Sequence, residues 1–320
     1  MLSRVAERVY WMGRYLERAE STARLVNAYT TQVMDLPRGV EPGWKHLVDI
    51  TGANLLFDER YARYDERSTI TFLVADADHA GSIMSSLAIA RENVRTTRDV
   101  LPNGAWEDAN ELYLYARANA EQAVGRKHRF AFLKSVTFRC QQIAGLLAGT
   151  MSHDTAYEFA RVGRNLERAD MTTRILDSAV FILMPRKDAP GEYDSILWLN
   201  VLKSLGADQM YRRHVRNRVV ADDVVRFLLK DEQFPRAVCQ ALADSAASLG
   251  TLPRNAAALQ SLGRVHARVA AADIRSMSLD GLHRLIDEVQ SDLGDAHEQI
   301  RATWFGVDRP VESQAQTQSA

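Results

Sequence analysis

The sequence has two cysteines, eight prolines and no long apolar run in 320 residues, and each shortage excludes a class of protein. Cys140 and Cys239 stand in unrelated contexts without CxxC spacing, which excludes a disulfide framework and a cysteine-based metal site. We expect both thiols to be reduced and part of the core. The longest apolar run, residues 179–184, is far too short to span a bilayer. The sequence therefore predicts a cytoplasmic globular protein that does not cross a membrane.

The chain also lacks an excess of charge of either sign. Its net charge is −1, with 46% hydrophobic and 25% charged residues, so it can bury a sizeable core and has no global attraction to nucleic acid. Its glycines are isolated, which excludes a phosphate loop and a dinucleotide fingerprint, and spacing assigns no catalytic triad. We expect no cofactor and no nucleic-acid partner.

An eight-residue block occurs twice. Residues 13–20 read GRYLERAE and residues 163–170 read GRNLERAD, with a spacing of 163 − 13 = 150. The correspondence continues to Arg24 and Arg174, and Trp44 and Gly52 find counterparts in Trp198 and Gly206. The sequence therefore predicts an internal duplication.

Residue types favour helices throughout, since Leu, Ala, Glu and Arg dominate and proline is rare. We predict a single all-α domain over residues 1–310, built from two pseudo-symmetric halves (1–150 and 151–310), with a disordered tail at 311–320. A pseudo-twofold axis would bring the two copies of the block together at the centre. The predicted helices cover residues 3–34, 44–57, 70–74, a long segment ending near 101, 106–123, 127–148, 152–184, 198–205, 222–229 and 279–304.

The repeated block predicts partly buried charges. Glu17 and Glu20 lie on the shoulder of the apolar helix face, where a carboxylate needs a cationic partner. Arg24, four residues beyond Glu20, is the predicted cationic partner of these acids, and Glu17 with Arg24 and Glu167 with Arg174 are the first candidate pairs. This first interpretation is a buried ion-pair network that fixes the register of two long helices.

Other interpretations give these charges a function. Arg14, Arg18, Arg164 and Arg168 would clamp a carboxylate or phosphate in a cleft between the halves. Glu17 or Glu167 would be the general base of a stand-alone enzyme. Metal binding by paired acids is disfavoured because the neighbouring arginines repel a cation, so no metal is predicted. The candidate ligand-binding residues are Arg14, Glu17, Arg18, Glu20, Arg24, Arg91, Glu92, Arg95, Arg164, Glu167, Arg168, Asp170 and Arg174.

Arg91 and Arg95 form with Arg98 a basic stripe beside Glu92 that occurs in the first half only. It is either a solvated face or an asymmetric, positive wall of the cleft.

Three shorter motifs are interpreted structurally. Residues 234–236 (FPR) predict a helix start with Pro235 at its first position, where Asp231 would cap the helix or pair with Arg236. Asp154 is predicted to cap a helix. Asp76 and His79 are predicted to be solvated turn residues.

Residues 2–20, 90–95, 163–170 and 234–236 together resemble the Alpha-E family, bacterial helical proteins with a recurring Glu-Arg motif and no established activity. The resemblance covers nearly the whole chain. It implies an all-helical fold and genes beside circularly permuted ATP-grasp ligases and transglutaminase-like proteases. It therefore implies a role in making or modifying a peptide or amide, as an accessory or substrate-presenting partner of the ligase.

Overall fold

The computed structural model describes residues 1–35, 43–183, 193–216 and 218–306. All regular structure in these ranges is helical, which confirms the all-α class. The α-helices are α1 Ser3–Asp35, α2 Lys45–Thr51, α3 Asn54–Arg60, α4 Glu66–Ile70, α5 Ile83–Arg95, α6 Asn103–Ala123, α7 Arg126–Thr150, α8 Thr155–Leu183, α9 Asp194–Ser204, α10 Asp208–Val215, α11 Ala221–Lys230, α12 Val238–Gly250, α13 Ala256–Ala271 and α14 Leu279–Ile300. Two π-helical turns, Thr71–Ala75 and Arg301–Phe305, continue α4 and α14.

Helices α1 and α8 pack against each other at the centre of the described structure. They carry the two copies of the repeated block, and their backbones touch at its glycines. A Cβ atom on Gly13 would lie 2.4 Å from the carbonyl oxygen of Ala160, and one on Gly163 would lie 2.1 Å from that of Tyr10. Glycine is required at both positions because no side-chain atom fits there.

The same succession of contacts surrounds each central helix. α1 packs against α5 and α7, with α6 between them, and α8 packs against α12 and α14, with α13 between them. The two central helices thus meet as the pseudo-twofold hypothesis expects. This paired pattern supports the predicted duplication.

The short helices cross from one half to the other. α9 packs on α1 and α2 packs on α8. Each is followed by a left-handed glycine, Gly52 with φ +67° and Gly206 with φ +62°. The Arg174 guanidinium lies against Gly52, and the Arg24 guanidinium lies against Gly206. Each half therefore places an equivalent short helix and an equivalent arginine against the other half.

Several predicted boundaries were wrong. The predicted helix 44–57 is split at Gly52 into α2 and α3, because this residue adopts the left-handed conformation that ends a helix. α5 ends at Arg95, several residues before Pro102. α12 begins at Val238 rather than Pro235. α10 and α13 were not predicted, and the predicted tail, residues 311–320, lies outside the described residues.

None of the described helices is long and apolar enough to cross a membrane.

Candidate functional site

Glu167 of α8 is fully buried and holds two arginines of α1. Arg14 Nε donates to Glu167 Oε2 at 2.7 Å, while Arg18 donates through Nε to Oε1 at 2.5 Å and through Nη2 to Oε2 at 3.0 Å. The Arg14 and Arg18 guanidinium groups also lie over the rings of Trp11 and Tyr15. Both carboxylate oxygens of Glu167 are thus occupied from the opposite helix.

Glu17 of α1 makes the reciprocal contact with Arg168 of α8, whose Nε donates to Glu17 Oε2 at 2.8 Å. Its second arginine comes from elsewhere: Arg236, in the turn before α12, donates from Nη1 to Glu17 Oε1. Ser21 Oγ also donates to Oε1, at 3.4 Å. Each glutamate therefore pairs with the equivalent arginine of the opposite helix, Arg18 or Arg168, but their second arginines are not equivalent.

Glu20 and Asp170 hold the arginines one turn further along. Arg24 Nε donates to Glu20 Oε1 at 2.9 Å, and Arg174 Nε donates to Asp170 Oδ1 at 3.0 Å. Glu20 Oε1 also accepts from Arg236 Nη2 at 2.8 Å. The predicted use of Arg24 at four residues beyond Glu20 is confirmed, whereas the predicted pairing of Glu17 with Arg24, and of Glu167 with Arg174, was wrong. Each central glutamate faces the opposite helix, because the close approach at the glycines brings those arginines within reach.

Arg236 is the residue that sequence reasoning missed. Residues 234–236 were noted but interpreted as a helix start, whereas Arg236 is buried between Glu17 and Glu20. The duplication gave no signal, because the counterpart of Arg236 is Gly81, as the spacings 231 − 76 = 155 and 236 − 81 = 155 show. Asp231 does not pair with Arg236 but caps the turn, its Oδ1 accepting from the Phe234 amide at 2.7 Å.

Arg164 stands at the position equivalent to Arg14, but it makes none of the ion pairs that Arg14 makes. Arg236 occupies the place on Glu17 that Arg14 takes on Glu167, and Arg164 makes no hydrogen bond or ion pair with the described residues. Its Nε is nevertheless buried. Burial lowers the pKa of Arg164, and the nearby positive charge of Arg168 lowers it further. The cluster thus contains one partly buried guanidinium whose buried Nε has no acceptor.

Arg164 lines a small cleft of about 30 Å³ between α1, α7 and α8. Glu17, Glu20 and Arg161 supply its other charged walls. The remaining lining residues are small, apolar or weakly polar, and they are Gly13, Leu16, Cys140, Ala144, Leu147, Tyr157 and Ala160. The Arg164 guanidinium therefore faces a cleft whose walls are mostly apolar.

Larger side chains stand at the equivalent positions on the other side of the central helices. Ala160 corresponds to Tyr10, since 160 − 10 = 150, and the buried positions of α7 and α14 recur at a spacing of 293 − 140 = 153, which pairs Ala144 with His297. The Tyr10 hydroxyl and His297 Nδ1 are 2.8 Å apart and their rings stack. Two alanines therefore open a cleft where the other half has rings.

The two central glutamates stay ionised. Burial raises the pKa of Glu167, but Arg14 and Arg18 outweigh it and lower that pKa to about 2. Burial likewise opposes ionisation of Glu17, and Arg168 and Arg236 still bring its pKa below the usual value. Burial raises the pKa of the Cys140 thiol well above its usual value, so Cys140 is a neutral wall of the cleft.

The structure does not bring the basic stripe to this cluster. Arg91 Nε donates to Asn110 of α6 at 2.7 Å and stacks on the ring of Trp106. Arg95 is exposed and pairs with Glu92, its neighbour on α5. Their contacts therefore lie on the surface formed by α5 and α6.

Asp76 and His79 are buried, so the prediction of solvated turn residues was wrong. Asp76 accepts a hydrogen bond from the Tyr61 hydroxyl at 2.9 Å, and the His79 ring stacks on Phe72 at 4.0 Å. Burial lowers the pKa of His79 to about 4. The turn folds inward because an aromatic ring covers it.

Two other predictions are confirmed. Asp154 caps the start of α8, its Oδ1 accepting from the Ala156 amide at 2.9 Å. Cys140 and Cys239 are free and buried.

A separate group that the sequence did not suggest brings Asp177, His283 and Asp287 together, with potential ligand atoms within 4.8 Å of one another. His283 Nδ1 lies 2.5 Å from Asp177 Oδ1, and this hydrogen bond raises the pKa of His283. A histidine that gains a proton forms an ion pair with the acids, which is the opposite of what a metal ligand requires.

The fold and the cluster define a class of all-helical protein in which two central helices exchange glutamate–arginine pairs. The chain belongs to the Alpha-E family, described as a predicted alpha-helical domain with a conserved ER motif, whose family model matches residues 1–305. The Glu-Arg pairs that form the cluster, Glu17-Arg18 and Glu167-Arg168, lie within this matched region.

Similar proteins include uncharacterized proteins of Mycobacterium bovis and Mycobacterium tuberculosis, each 24% identical over 342 residues and covering 95% of this chain. The match covers 37% of the length of each of these relatives, so the chain spans little more than a third of them. No solved structure shows a significant match to this chain.

Proposed function

We propose that this protein is an accessory, substrate-presenting partner of an ATP-grasp type peptide or amide ligase, and that its central cleft binds a carboxylate-bearing ligand. The observation that carries the binding step is Arg164, a guanidinium with a buried Nε and no acceptor. A buried donor without a partner is costly, and a carboxylate in the cleft would satisfy it.

Charge balance supports an anionic ligand. Seven guanidinium groups meet four carboxylates in the cluster, so three positive charges are left over. The acids are Glu17, Glu20, Glu167 and Asp170, and the arginines are Arg14, Arg18, Arg24, Arg164, Arg168, Arg174 and Arg236. The apolar wall of Leu16, Ala144 and Ala160 favours a small aliphatic group beside the carboxylate.

The rival function, a stand-alone enzyme with Glu17 or Glu167 as general base, is not favoured by the geometry. A general base works best with a pKa near the operating pH, whereas that of Glu167 is about 2 and that of Glu17 is lowered. Glu167 has the environment of a structural ion pair. The purely structural interpretation therefore fits Glu167 and leaves Arg164 without a role.

The partner is proposed from the family resemblance, which associates such proteins with circularly permuted ATP-grasp ligases and transglutaminase-like proteins. The length of the relatives supports a role beside further polypeptide, because more than half of each relative lies outside the region that matches this chain.

The binding step is tested with two probes that differ only in the charged group, N-acetylalanine and N-acetylalaninamide. We expect the acid and not the amide to bind, measured by ligand-observed NMR, and we expect Arg164→Met to abolish this binding. Arg14→Met is the matched control, because Arg14 occupies the equivalent motif position but is already paired with Glu167. Equal binding of both probes, or binding retained by Arg164→Met, contradicts the proposal.

The accessory role is tested by copurification with the neighbouring ligase and by reconstitution of its reaction. We expect product only when both proteins are present, and a loss of product with Arg164→Met at unchanged complex formation. Product formed by this protein alone would favour the enzyme instead.

A further inference from the structure

A groove of about 400 Å³ runs along the outer surface between α1, α7 and α9. It lies on the far side of Glu20 from the cleft, since Arg24 and Gln141 of its lining both donate to Glu20 Oε1. Phe130, Lys134, Phe138 and Lys203 also line it.

Two aromatic rings stand exposed on this groove. Phe130 is 59% and Phe138 is 68% exposed, and both belong to α7. They are eight residues apart, which is about 12 Å along the helix. Single exposed apolar residues are ordinary, but two rings on the wall of one groove form a contact surface.

The groove is basic. Arg24, Lys134 and Lys203 line it, and no acidic residue does. Lys134 and Lys203 make no ion pair with the described residues, whereas Arg24 is held by Glu20. Helix α7 as a whole carries five Lys and Arg residues and no Asp or Glu.

The equivalent helix of the other half has the opposite character. α14 carries six acidic residues and one arginine, and at the spacing of 153 the counterparts of Phe130 and Lys134 are His283 and Asp287. The basic, aromatic groove is therefore a property of the first half and does not follow from the shared fold.

From these observations we propose that the groove binds an acidic, amphipathic helix of a partner polypeptide. Leucine-like side chains about two turns apart on that helix would pack against Phe130 and Phe138, and its acidic residues would face Lys134 and Lys203. A second copy of this chain offers acids on α14, but every exposed residue of that helix is polar or glycine, so it has no apolar side chains to place between the rings.

The test uses two fluorescein-labelled synthetic helices of about 18 residues, both with leucines at positions i, i+3, i+4 and i+7. The remaining positions are mostly glutamate in one peptide and lysine in the other. We expect the full-length protein to bind the glutamate peptide at least tenfold more tightly than the lysine peptide, measured by fluorescence anisotropy.

Variants assign the binding to the groove. The pair Phe130→Ala and Phe138→Ala should weaken binding of the glutamate peptide at least tenfold. The pair Lys134→Glu and Lys203→Glu should reverse the preference between peptides. Leu55→Ala is the matched control, because Leu55 is 83% exposed on α3 and is outside the groove. All five side chains lie on the surface, and far-UV circular dichroism checks the fold of each variant.

The proposal is overturned if the glutamate peptide does not bind, if both peptides bind equally, or if the phenylalanine variants bind as the wild type does. It is also overturned if sedimentation shows self-association that these variants abolish, since the occupant would then be a second copy. Binding of N-acetylalanine to the phenylalanine variants is measured in parallel, so a failure of the groove and a failure of the cleft are distinguishable.

Discussion

At the residue scale, the two halves differ in one ion-pair partner of the central glutamate. Glu17 and Glu167 stand at equivalent positions, yet Arg236 replaces Arg164 as the second arginine of Glu17. The side chain that is displaced becomes the unpaired cation of the cleft. A motif that looks symmetric in the sequence therefore forms closed ion pairs at Glu167 and leaves a guanidinium without an acceptor at Arg164.

Glu167 predicts a defined dependence of stability on pH. Its pKa is about 2 in the folded protein against an ordinary value of 4.5, so the unfolded chain binds the proton more readily. This stabilisation is complete above pH 4.5 and is lost as the pH falls toward 2. The difference in pKa corresponds to roughly 3 kcal/mol.

We expect Glu167→Gln to lower the free energy of unfolding by about 3–5 kcal/mol at pH 7, because Arg14 and Arg18 lose their acceptor. This deficit should shrink between pH 4.5 and 2, measured by urea unfolding across that range. Burial lowers the pKa values of His46 and His79 to about 4, so these two residues also destabilise the folded protein in acid, but equally in both proteins because Glu167 does not shift either pKa. A deficit that is constant with pH contradicts this account.

The competition between Arg236 and Arg164 for Glu17 predicts a non-additive pair of substitutions. Alone, Arg164→Met should leave the free energy of unfolding unchanged or raise it, because it removes a buried donor without an acceptor. In an Arg236→Met background, Arg164 is expected to turn to Glu17 as Arg14 does to Glu167. There, Arg164→Met should cost about 1–3 kcal/mol more than it does alone.

A double-mutant cycle of unfolding free energies measures this coupling. Additive effects would show that Arg164 does not compete for Glu17.

Most residues of the cluster could be predicted from the sequence, but Arg236 and the partners of the two central glutamates could not. Repetition of the ER block identified Glu17, Glu167 and their arginines. Spacing along one helix suggested Arg24 for Glu17, because a single helix offers only its own neighbours. The actual partners depend on how closely two helices approach and on a turn more than 200 residues away, which carries Arg236.

At the element scale, the exchange of arginines between the two central glutamates depends on the crossing of α1 and α8. Gly13 and Gly163 allow backbone contact, and the neighbouring arginines thereby reach the opposite glutamate. Helix content and the long central helices were predictable from residue type. The break at Gly52 was not, since an isolated glycine is tolerated within some helices and ends others.

The crossing predicts opposite effects for glycine-to-alanine substitutions. Gly13→Ala and Gly163→Ala should each lower the free energy of unfolding by about 3 kcal/mol or more, because the new methyl group overlaps a backbone carbonyl. Gly145→Ala on α7 is the control. Nothing lies within 4 Å of its would-be Cβ, so it should stabilise the protein by about 0.5–1 kcal/mol.

Urea unfolding monitored by circular dichroism distinguishes these cases. Equal effects of all three substitutions would show that the close contact at the crossing does not limit packing.

At the scale of the whole molecule, the two halves share their centre. Each central glutamate takes an arginine from the other half, and Arg24 and Arg174 lie against glycines of the opposite half. The sequence predicted two halves with the repeated helices meeting. It gave no sign of the exchanged contacts of α2 and α9, which depend on two short helices that have little pattern of their own.

Shared ion pairs and exchanged helices predict that the protein unfolds as one unit. Loss of either half would leave buried glutamates or arginines of the other without partners, which costs more than one half gains by staying folded. Trp44 and Trp198 are equivalent positions in the two halves. In variants whose only tryptophan is Trp44 or Trp198, we expect fluorescence to report the same urea midpoint, equal to that of circular dichroism. Separate midpoints for Trp44 and Trp198 would show that the halves are independent, and the cleft between α1, α7 and α8 would then open without loss of either half.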